Sequence, residues 1–150
     1  DATGIAAIWN HAIDETAITF TTQRKTVPGL QADIAARGPC FQVFEIDGQV
    51  GGFATCFPFR AGPGYAFTRE HSILLDPAAH GRGAGRALMA ALERAAKAEG
   101  VHSLWAGVSG ENPAGVAFHA RIGFAEVARL REVGFKFGRW MDLVLMQKFL

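Results

Sequence analysis

The stretch that decides the fold is residues 72–100, SILLDPAAHGRGAGRALMAALERAAKAEG. Its short apolar start ends before Pro77, because proline cannot donate a hydrogen bond to a neighbouring strand. Three alternating glycines follow, and apolar residues then recur at helical spacing as far as Gly100. This pattern predicts a strand, a glycine-rich turn and a long helix. The free amides of such a helix N-terminus favour a phosphate group, and the glycines leave room for it.

Length and composition indicate a single domain over residues 1–150. Hydrophobic residues are 49% of the chain and charged residues 19%, which excludes a disordered protein. A net charge of +1 without a dense Lys/Arg cluster argues against nucleic-acid binding. No apolar run approaches the roughly 20 residues that span a bilayer, so we expect no membrane association.

Two cysteines, Cys40 and Cys56, are too few for a disulfide scaffold. They flank a predicted hairpin whose turn is Asp47 and Gly48. With a two-residue turn, Cys40 lies opposite Thr55, and Cys56 then points to the other face of the sheet. We therefore expect two free, buried thiols in a cytoplasmic protein.

The order of predicted elements is ααβββαβαββ, which indicates an α/β (α+β) fold with a mixed sheet and helices on both faces. Helices are predicted over residues 1–15, 26–37, 83–99 and 112–123. Strands are predicted over residues 41–46, 49–57, 65–75, 104–108, 125–133 and 140–150. A glycine-bounded loop over residues 134–138 is expected between the last two strands.

The glycine turn fits some kinds of phosphate loop better than others. A Walker loop needs Lys and then Ser or Thr after its last glycine, but Arg86 and Ala87 follow Gly85. A dinucleotide-binding turn needs a third glycine where Arg86 stands. A pyrophosphate loop of the form x-x-x-Gly-x-Gly fits residues 80–85. On these residues alone, a purely structural tight turn stays open as well.

Residues 80–85, HGRGAG, resemble the acetyl-CoA motif Arg/Gln-x-x-Gly-x-Gly/Ala of the GNAT superfamily of N-acetyltransferases. His80 departs from the first position of that motif. The resemblance implies a mostly antiparallel sheet with splayed strands at the acetyl-CoA site, and the family's usual first strand is missing from this chain. It also implies acetyl-CoA contacts from Ile73, Leu74, Leu75, His80, Gly81, Arg82, Gly83, Ala84, Gly85, Arg86 and Asn112.

The resemblance extends over nearly the whole chain to the phosphinothricin and methionine sulfone/sulfoximine N-acetyltransferases. It rests on the joint order of IWNH (8–11), TF (19–20), YAFTREHS (65–72), NP (112–113), FH (118–119), IGF (122–124) and GFKFGRWMD (134–142). This subfamily implies direct transfer of the acetyl group of acetyl-CoA to the primary amine of a small amino-acid-like acceptor. The alternatives are another amine, such as an antibiotic or a protein N-terminus, and a non-catalytic acyl-CoA-binding module.

Two residues are expected to carry the chemistry. Glu70 lies in an otherwise apolar strand, where a carboxylate is costly unless it is used or paired. The resemblance makes Glu70 the catalytic base, and the alternative is an ion pair with Arg69 or another arginine. His119 stands where many acetyltransferases have a tyrosine proposed to protonate the departing thiolate, a role open to an imidazolium. The alternative is that His119 holds local structure by hydrogen bonds.

The acceptor is expected to meet Arg60 and Tyr65 on the loop that leads to the catalytic strand. A cation suits a carboxylate or phosphinate, and the phenol can donate a hydrogen bond. Phe20, as a wall, and His71 complete the predicted acceptor contacts. Phosphinothricin-specific members carry a second basic residue where this chain has Gly62, which leaves methionine sulfone or sulfoximine open.

No metal is predicted, because the histidines show no ligand spacing with cysteine or acidic residues. The three tryptophans are interpreted as core or interface residues: Trp9, Trp105 and Trp140. The resemblance implies a homodimer whose interface includes the C-terminal strands and residues 134–140.

Overall fold

A six-stranded sheet with two helices on each face is seen in the computed structural model, which describes residues 1–150. The helices are α1 (Ala2–Glu15), α2 (Val27–Arg37), α3 (Ala84–Ala98) and α4 (Pro113–Arg121). The strands are β1 (Phe41–Ile46), β2 (Gln49–Pro58), β3 (Thr68–Leu75), β4 (Ser103–Ser109), β5 (Ala125–Lys136) and β6 (Arg139–Phe149). The predicted order of elements is confirmed, and the strands lie in the order β1-β2-β3-β4-β6-β5.

The centre of the sheet splays, as predicted. Strands β3 and β4 form the only parallel pair, and it joins just Thr68–His71 to Ser103–Ala106. Beyond His71, β3 stays paired to β2 as far as Leu75, while β4 stays paired to β6 as far as Ser109. The facing edges of β3 and β4 therefore carry backbone groups that have no partner strand, and a ligand can bond to them.

Local capping places α2 and α4 where the sequence predicts them. The Thr26 hydroxyl accepts a hydrogen bond from the Gly29 amide at 3.2 Å, and the Asn112 side chain accepts one from the Gly115 amide at 3.0 Å. A proline stands in the first turn of each helix, where its missing N–H costs nothing. None of the helices combines the length and apolar character needed to cross a membrane.

Each face of the sheet buries its own core. Leu88 and Leu92 of α3 pack with Leu104 of β4 on one face. On the other face Trp9 of α1 packs at a tilt against Phe53 of β2, with ring centroids 4.7 Å apart. Burying a large apolar side chain stabilises the fold by about 1.5–3 kcal/mol, so these two clusters fix both helix pairs onto the sheet.

Two predicted boundaries were wrong. Strand β3 begins at Thr68 and not at Tyr65, because residues Pro63–Tyr65 form a 3-10 turn. The expected loop over residues 134–138 is mostly strand, since β5 continues to Lys136. Only Phe137 and Gly138 form the turn, both with positive φ angles of 53° and 72°, which closes a tight hairpin.

The predicted cysteine geometry was also wrong. A bulge between Phe44 and Glu45 shifts the hairpin register, so that Thr55 lies opposite Phe41 and not opposite Cys40. The Arg69 guanidinium then donates to both sulfur atoms, at 3.2 Å to Cys40 and 3.8 Å to Cys56. Both thiols are free and buried, as expected. Burial and the neighbouring Cys56 thiol raise the pKa of Cys40 to about 12.

Candidate active site

A groove of about 760 Å³ runs between α1, the splayed end of β3, the glycine turn and α4. Most of the predicted acetyl-CoA contacts line it, namely Ile73, Leu74, Leu75, His80, Gly81, Gly83, Ala84, Gly85, Arg86 and Asn112. Arg82 belongs to the predicted set but is exposed outside the groove lining. The groove therefore joins the splayed strand to the glycine turn in one continuous surface.

The structure shows why glycine stands at each of the three positions of the turn. Gly81 and Gly83 have φ angles of 74° and 75°, a conformation that strains any residue with a side chain. Gly85 has no such strain, but a Cβ atom there would lie 3.1 Å from the Phe118 ring. The first two glycines thus shape the turn, and the third lets α3 pack closely against α4.

The backbone amides at the start of α3 are free to bind an anion. Gly83 occupies the N-cap position and has no side chain to accept from the helix amides. The first amides of an α-helix have no acceptor within the helix, so they are free to donate to a bound anion. Before the turn, the Asp76 carboxylate accepts from the Ala78 amide at 2.8 Å, which fixes the path of the chain into the loop.

Sequence reasoning missed part of the groove lining. One wall comes from α1 and the segment after it, through His11, Thr16 and Ile18. The opposite wall includes Phe118 of α4 and Ile122, the residue that directly follows the helix, four positions along the chain. That spacing puts both side chains on one helix face and could have pointed to the wall. The contribution of α1 had no such signal, because it depends on how the helix docks on the sheet.

Glu70 lies beside the splay and has no ion-pair partner. Its neighbour Arg69 pairs with Glu99 at 2.7 Å, so the alternative of a Glu70–Arg69 pair is wrong. A Cβ atom at Gly107 would be 3.0 Å from Glu70 Oε1, which places the carboxylate over the backbone of β4 just beyond the last β3–β4 pair. Burial raises the pKa of the Glu70 carboxyl above its ordinary value.

His119 is buried between α4 and the sheet, and both of its ring nitrogens are engaged. Nδ1 lies 2.7 Å from the Gly115 carbonyl oxygen, and Nε2 lies 3.0 Å from Nε2 of His71. Because a carbonyl only accepts, Nδ1 of His119 carries the proton of the neutral ring. Its Nε2 therefore accepts from the Nε2–H of His71. Burial lowers the pKa of His119, so the neutral form is favoured.

His71 does not lie with the other predicted acceptor contacts. Side chains alternate along a strand, so His71 points to the face opposite Glu70 and packs on Phe124, with ring centroids 5.2 Å apart. Its Nδ1 is buried without a hydrogen-bond partner. Burial and the adjacent His119 lower the pKa of His71 to about 3. We therefore place His71 in the support of His119 and remove it from the acceptor contacts.

Arg60 and Tyr65 come together on an aromatic surface. The Phe59 ring lies 6.4 Å from the Tyr65 ring and 5.2 Å from the Trp105 ring. The Arg60 guanidinium carbon lies 5.6 Å from the centre of Phe59. Trp105 is the β4 partner of Glu70, so this surface lies beside the carboxylate.

Phe20 packs against Gly134 of β5, a strand that is three places from β3 in the sheet. A Cβ atom at Gly134 would overlap with the Phe20 ring, so glycine makes this contact possible. The buried Lys136 ammonium donates to the carbonyl oxygens of Thr16 and Thr19 at 2.6 and 2.8 Å. These contacts fix the segment that carries Phe20 and also forms a wall of the groove.

Comparison with known proteins gives the class to which this fold and site belong. The sequence profile of the acetyltransferase (GNAT) family matches residues 5–124, and the chain belongs to that family. It is 36% identical to L-methionine sulfoximine/L-methionine sulfone acetyltransferase of Salmonella typhimurium over 98% of this chain and 88% of the relative. It is also 36% identical to phosphinothricin N-acetyltransferase of Streptomyces coelicolor, over 99% of this chain and 90% of the relative.

A solved structure agrees with the same class. The structure of yncA from Salmonella typhimurium with its cofactor acetyl-CoA superimposes with a TM-score of 0.91 at 35% identity. The match covers all of this chain and 90% of that one. The predicted fold is confirmed, and the protein is an N-acetyltransferase, as predicted.

Proposed function

We propose that this enzyme transfers the acetyl group of acetyl-CoA directly to the primary amine of a small amino-acid-like acceptor. Methionine sulfone, methionine sulfoximine and phosphinothricin are the acceptor types that the relatives' names suggest. The observation that carries the proposal is the unpaired Glu70 carboxylate, which stands between the acetyl-CoA groove and the aromatic surface around Phe59.

The donor half of the site is built from backbone. The amides at the start of α3 and the Arg86 guanidinium hold the pyrophosphate of acetyl-CoA. The free edge of residues 72–75 pairs with the pantetheine arm, because this part of β3 has a partner strand only on its β2 side and none on its β4 side. The thioester then reaches the splay, where Glu70 stands.

Glu70 is the base of the proposed reaction. An α-amino group has an ordinary pKa of about 8, so it arrives largely protonated and must lose a proton before it attacks. The Glu70 carboxylate, directly or through a water, takes that proton. The amine nitrogen then bonds to the thioester carbon, the carbon–sulfur bond breaks, and coenzyme A leaves as the thiolate.

His119 is not required as the acid in this scheme. Its two ring nitrogens already bond to Gly115 and His71, so the ring has no free N–H for the sulfur. A thiol has an ordinary pKa near 8.5, so the thiolate is a competent leaving group and can take its proton from the attacking nitrogen. We assign His119 to the wall of the groove, which it lines next to Phe118.

Arg60 and Tyr65 hold the acceptor in this proposal. Arg60 offers a cation to a carboxylate at the edge of the aromatic surface, and the half-exposed Tyr65 offers its hydroxyl. Gly62, in the same loop, has a φ angle of 101° and nothing within 4 Å of an added Cβ atom. The loop thus has one cation where a phosphinate-specific site would have two, which favours the sulfone and sulfoximine.

We also propose that the enzyme is a homodimer that works in the cytoplasm. The β5–β6 hairpin exposes apolar side chains of Val127, Val133, Phe135, Phe137 and Trp140. Such a patch suits an interface between identical chains. Two free, buried thiols suit a reducing compartment. Sedimentation should show a dimer for the parent and a monomer for Trp140→Glu, and a monomeric parent would refute the dimer.

A thiol-release assay tests the proposed activity. The enzyme is mixed with acetyl-CoA and one of methionine sulfone, methionine sulfoximine, phosphinothricin, an aminoglycoside or a peptide with a free N-terminus. We expect release with the amino acids, fastest with the sulfone or sulfoximine. Release only with the aminoglycoside or peptide contradicts the acceptor class, and binding of acetyl-CoA without any release favours a non-catalytic module.

A further inference from the structure

Three aromatic rings beside Glu70 form a surface of which the proposed reaction uses only the Tyr65 hydroxyl. We call Phe59, Tyr65 and Trp105 the aromatic cluster. Phe59 lies at its centre, nearly parallel to Trp105 with an interplanar angle of 27° and tilted by 50° from Tyr65. One edge of the cluster carries Arg60, whose guanidinium lies 5.6 Å from the Phe59 ring.

The sheet register puts the cluster next to the base. Trp105 of β4 and Phe57 of β2 are the partners of Glu70 on either side, so all three side chains leave the same face of the sheet. The carboxylate leans towards Gly107, the next residue of β4 on that face. An amine that meets Glu70 from the acetyl-CoA side therefore has the Trp105 indole directly behind it.

Trp105 is not packed like a core residue. Its neighbours in β4, Leu104 and Ala106, are 0% and 2% exposed, whereas Trp105 on the other face is only partly buried. Phe59 stacks on it and limits the positions that the indole can take. A rigid, partly open aromatic ring next to a catalytic carboxylate is a ready contact surface for a ligand.

We infer that Trp105, held by Phe59, is a specificity-determining residue on which the side chain of the acceptor packs. This inference rests on the proposed amino acid acetyltransferase function. The acceptor's amine lies at Glu70, its side chain lies on the indole, and its anionic group reaches Arg60. The methylene and methyl groups of such an acceptor pack well on aromatic rings, whereas the negative face of a ring repels a carboxylate. The cluster thus selects methionine-like acceptors over aspartate or glutamate.

Substitutions at Trp105 separate the contribution of its ring to acceptor preference from general effects on the fold. Trp105→Val removes the surface but keeps a residue that suits a strand, and Trp105→Phe keeps a smaller ring. Phe41→Leu is the matched control, because it removes a buried aromatic ring from the opposite end of the same sheet face. Kinetics with methionine sulfone and with alanine, at saturating acetyl-CoA, report on the acceptor side chain alone.

Trp105→Val should raise KM for methionine sulfone by about 10-fold, the scale of a lost apolar contact in a specificity pocket. KM for alanine should change less than about 2-fold, so the preference for the sulfone falls. Trp105→Phe should lie between the two, and Phe41→Leu should lower the melting temperature without changing the preference. An unchanged preference in active Trp105→Val or Trp105→Phe enzyme overturns the inference.

Tryptophan fluorescence gives a second readout that needs no turnover. Methionine sulfone should change the emission of the parent protein, which has three tryptophans, and Trp105→Phe should abolish that change. A persistent change in Trp105→Phe contradicts the inference even if Trp105→Val fails to fold. Failure of the function itself is distinct, because the parent enzyme would then release no thiol with any amino acid.

Discussion

The Glu70 carboxylate lies against the backbone of Gly107, where an added Cβ atom would be only 3.0 Å from Oε1. Gly107 is exposed and follows directly after Ala106, the last residue of β4 that pairs with β3. In the proposed mechanism, acetyl-CoA reaches Glu70 through the space on this side of the carboxylate. This space exists because position 107 has no side chain and because β3 and β4 part after His71.

Gly107→Ala should lower kcat by about 10- to 100-fold, because a displacement of the base by a fraction of an ångström misaligns proton transfer and attack. Steady-state kinetics with methionine sulfone checks this. The matched control is Gly64→Ala, since a Cβ atom there meets nothing within 4 Å and the position needs no positive φ angle. Equal rates for Gly107→Ala and the parent would remove Glu70 from the reacting centre.

The pH dependence of kcat/KM should reflect the raised pKa of the Glu70 carboxyl. A base acts in its ionised form, so activity is present above the pKa of Glu70 and lost as the pH falls through it. Burial raises that pKa, so the acid limb of kcat/KM should lie above the range of an exposed carboxyl group. The residual activity of Glu70→Gln should lack this limb. An identical acid limb in that variant would assign the limb to another group.

Two alanine substitutions in the glycine turn should separate the effect of backbone strain from the effect of side-chain packing. Gly83→Ala forces an alanine to a φ angle of 75°, which costs about 1 kcal/mol of stability and tilts the first amides of α3. Gly85→Ala has no such strain but presses on Phe118. Calorimetric titration should show weaker acetyl-CoA binding for both variants and unchanged acetyl-CoA binding for the control Gly64→Ala. Unchanged affinity in Gly83→Ala would place the pyrophosphate elsewhere.

The two buried histidines should make stability depend on pH. The pKa of His71 is lowered to about 3 in the folded protein, while an unfolded histidine titrates near 6.5. Between these values the unfolded state binds more protons, so stability falls as the pH drops below about 6.5, by about 1.4 kcal/mol per pH unit for this group.

His71→Gln keeps an N–H donor for His119 but does not titrate. Urea unfolding at pH 7 and pH 5 should therefore show about 2 kcal/mol less loss of stability in the variant than in the parent protein. Equal losses in the two proteins would mean that His71 is already protonated in the fold or that it exchanges with solvent. The comparison uses the same protein at both pH values, so a general loss of stability cancels.

Lys136→Met should loosen the segment that carries Phe20. The Lys136 ammonium is buried and donates to the carbonyl groups of Thr16 and Thr19. Two partly buried carbonyl groups then lose their donor, at a cost of up to about 1–3 kcal/mol each, so the melting temperature should fall. Because Thr16 also lines the groove, acetyl-CoA binding should weaken in parallel. Full stability in the variant would show that water replaces the ammonium.

Local patterns predicted the parts of the fold that depend on neighbours in sequence. The caps at Thr26 and Asn112, the glycine turn and the element order all follow from residue type and spacing. The cysteine geometry failed because the bulge after Phe44 changes the register by one residue, and one residue turns a side chain to the other face.

The candidate site was predictable where it is made of backbone and less so where it depends on tertiary contacts. At positions 81 and 83 the residue type, glycine, already points to a positive φ angle. The partner of Arg69 is Glu99, and the partner of His119 is His71, 48 residues away. Such pairs depend on the three-dimensional packing, so the sequence left the pairing of Glu70 open and placed His71 among the acceptor contacts, where the structure does not put it.

The most direct test compares turnover and binding in Glu70→Gln. Thiol release with methionine sulfone measures turnover, and titration with acetyl-CoA measures binding in the same preparation. Loss of a general base lowers kcat by about 100- to 10,000-fold, while acetyl-CoA affinity should stay within about 2-fold, because the groove lining does not include Glu70. Parental turnover in Glu70→Gln would contradict a mechanism in which Glu70 deprotonates the acceptor amine at the splay.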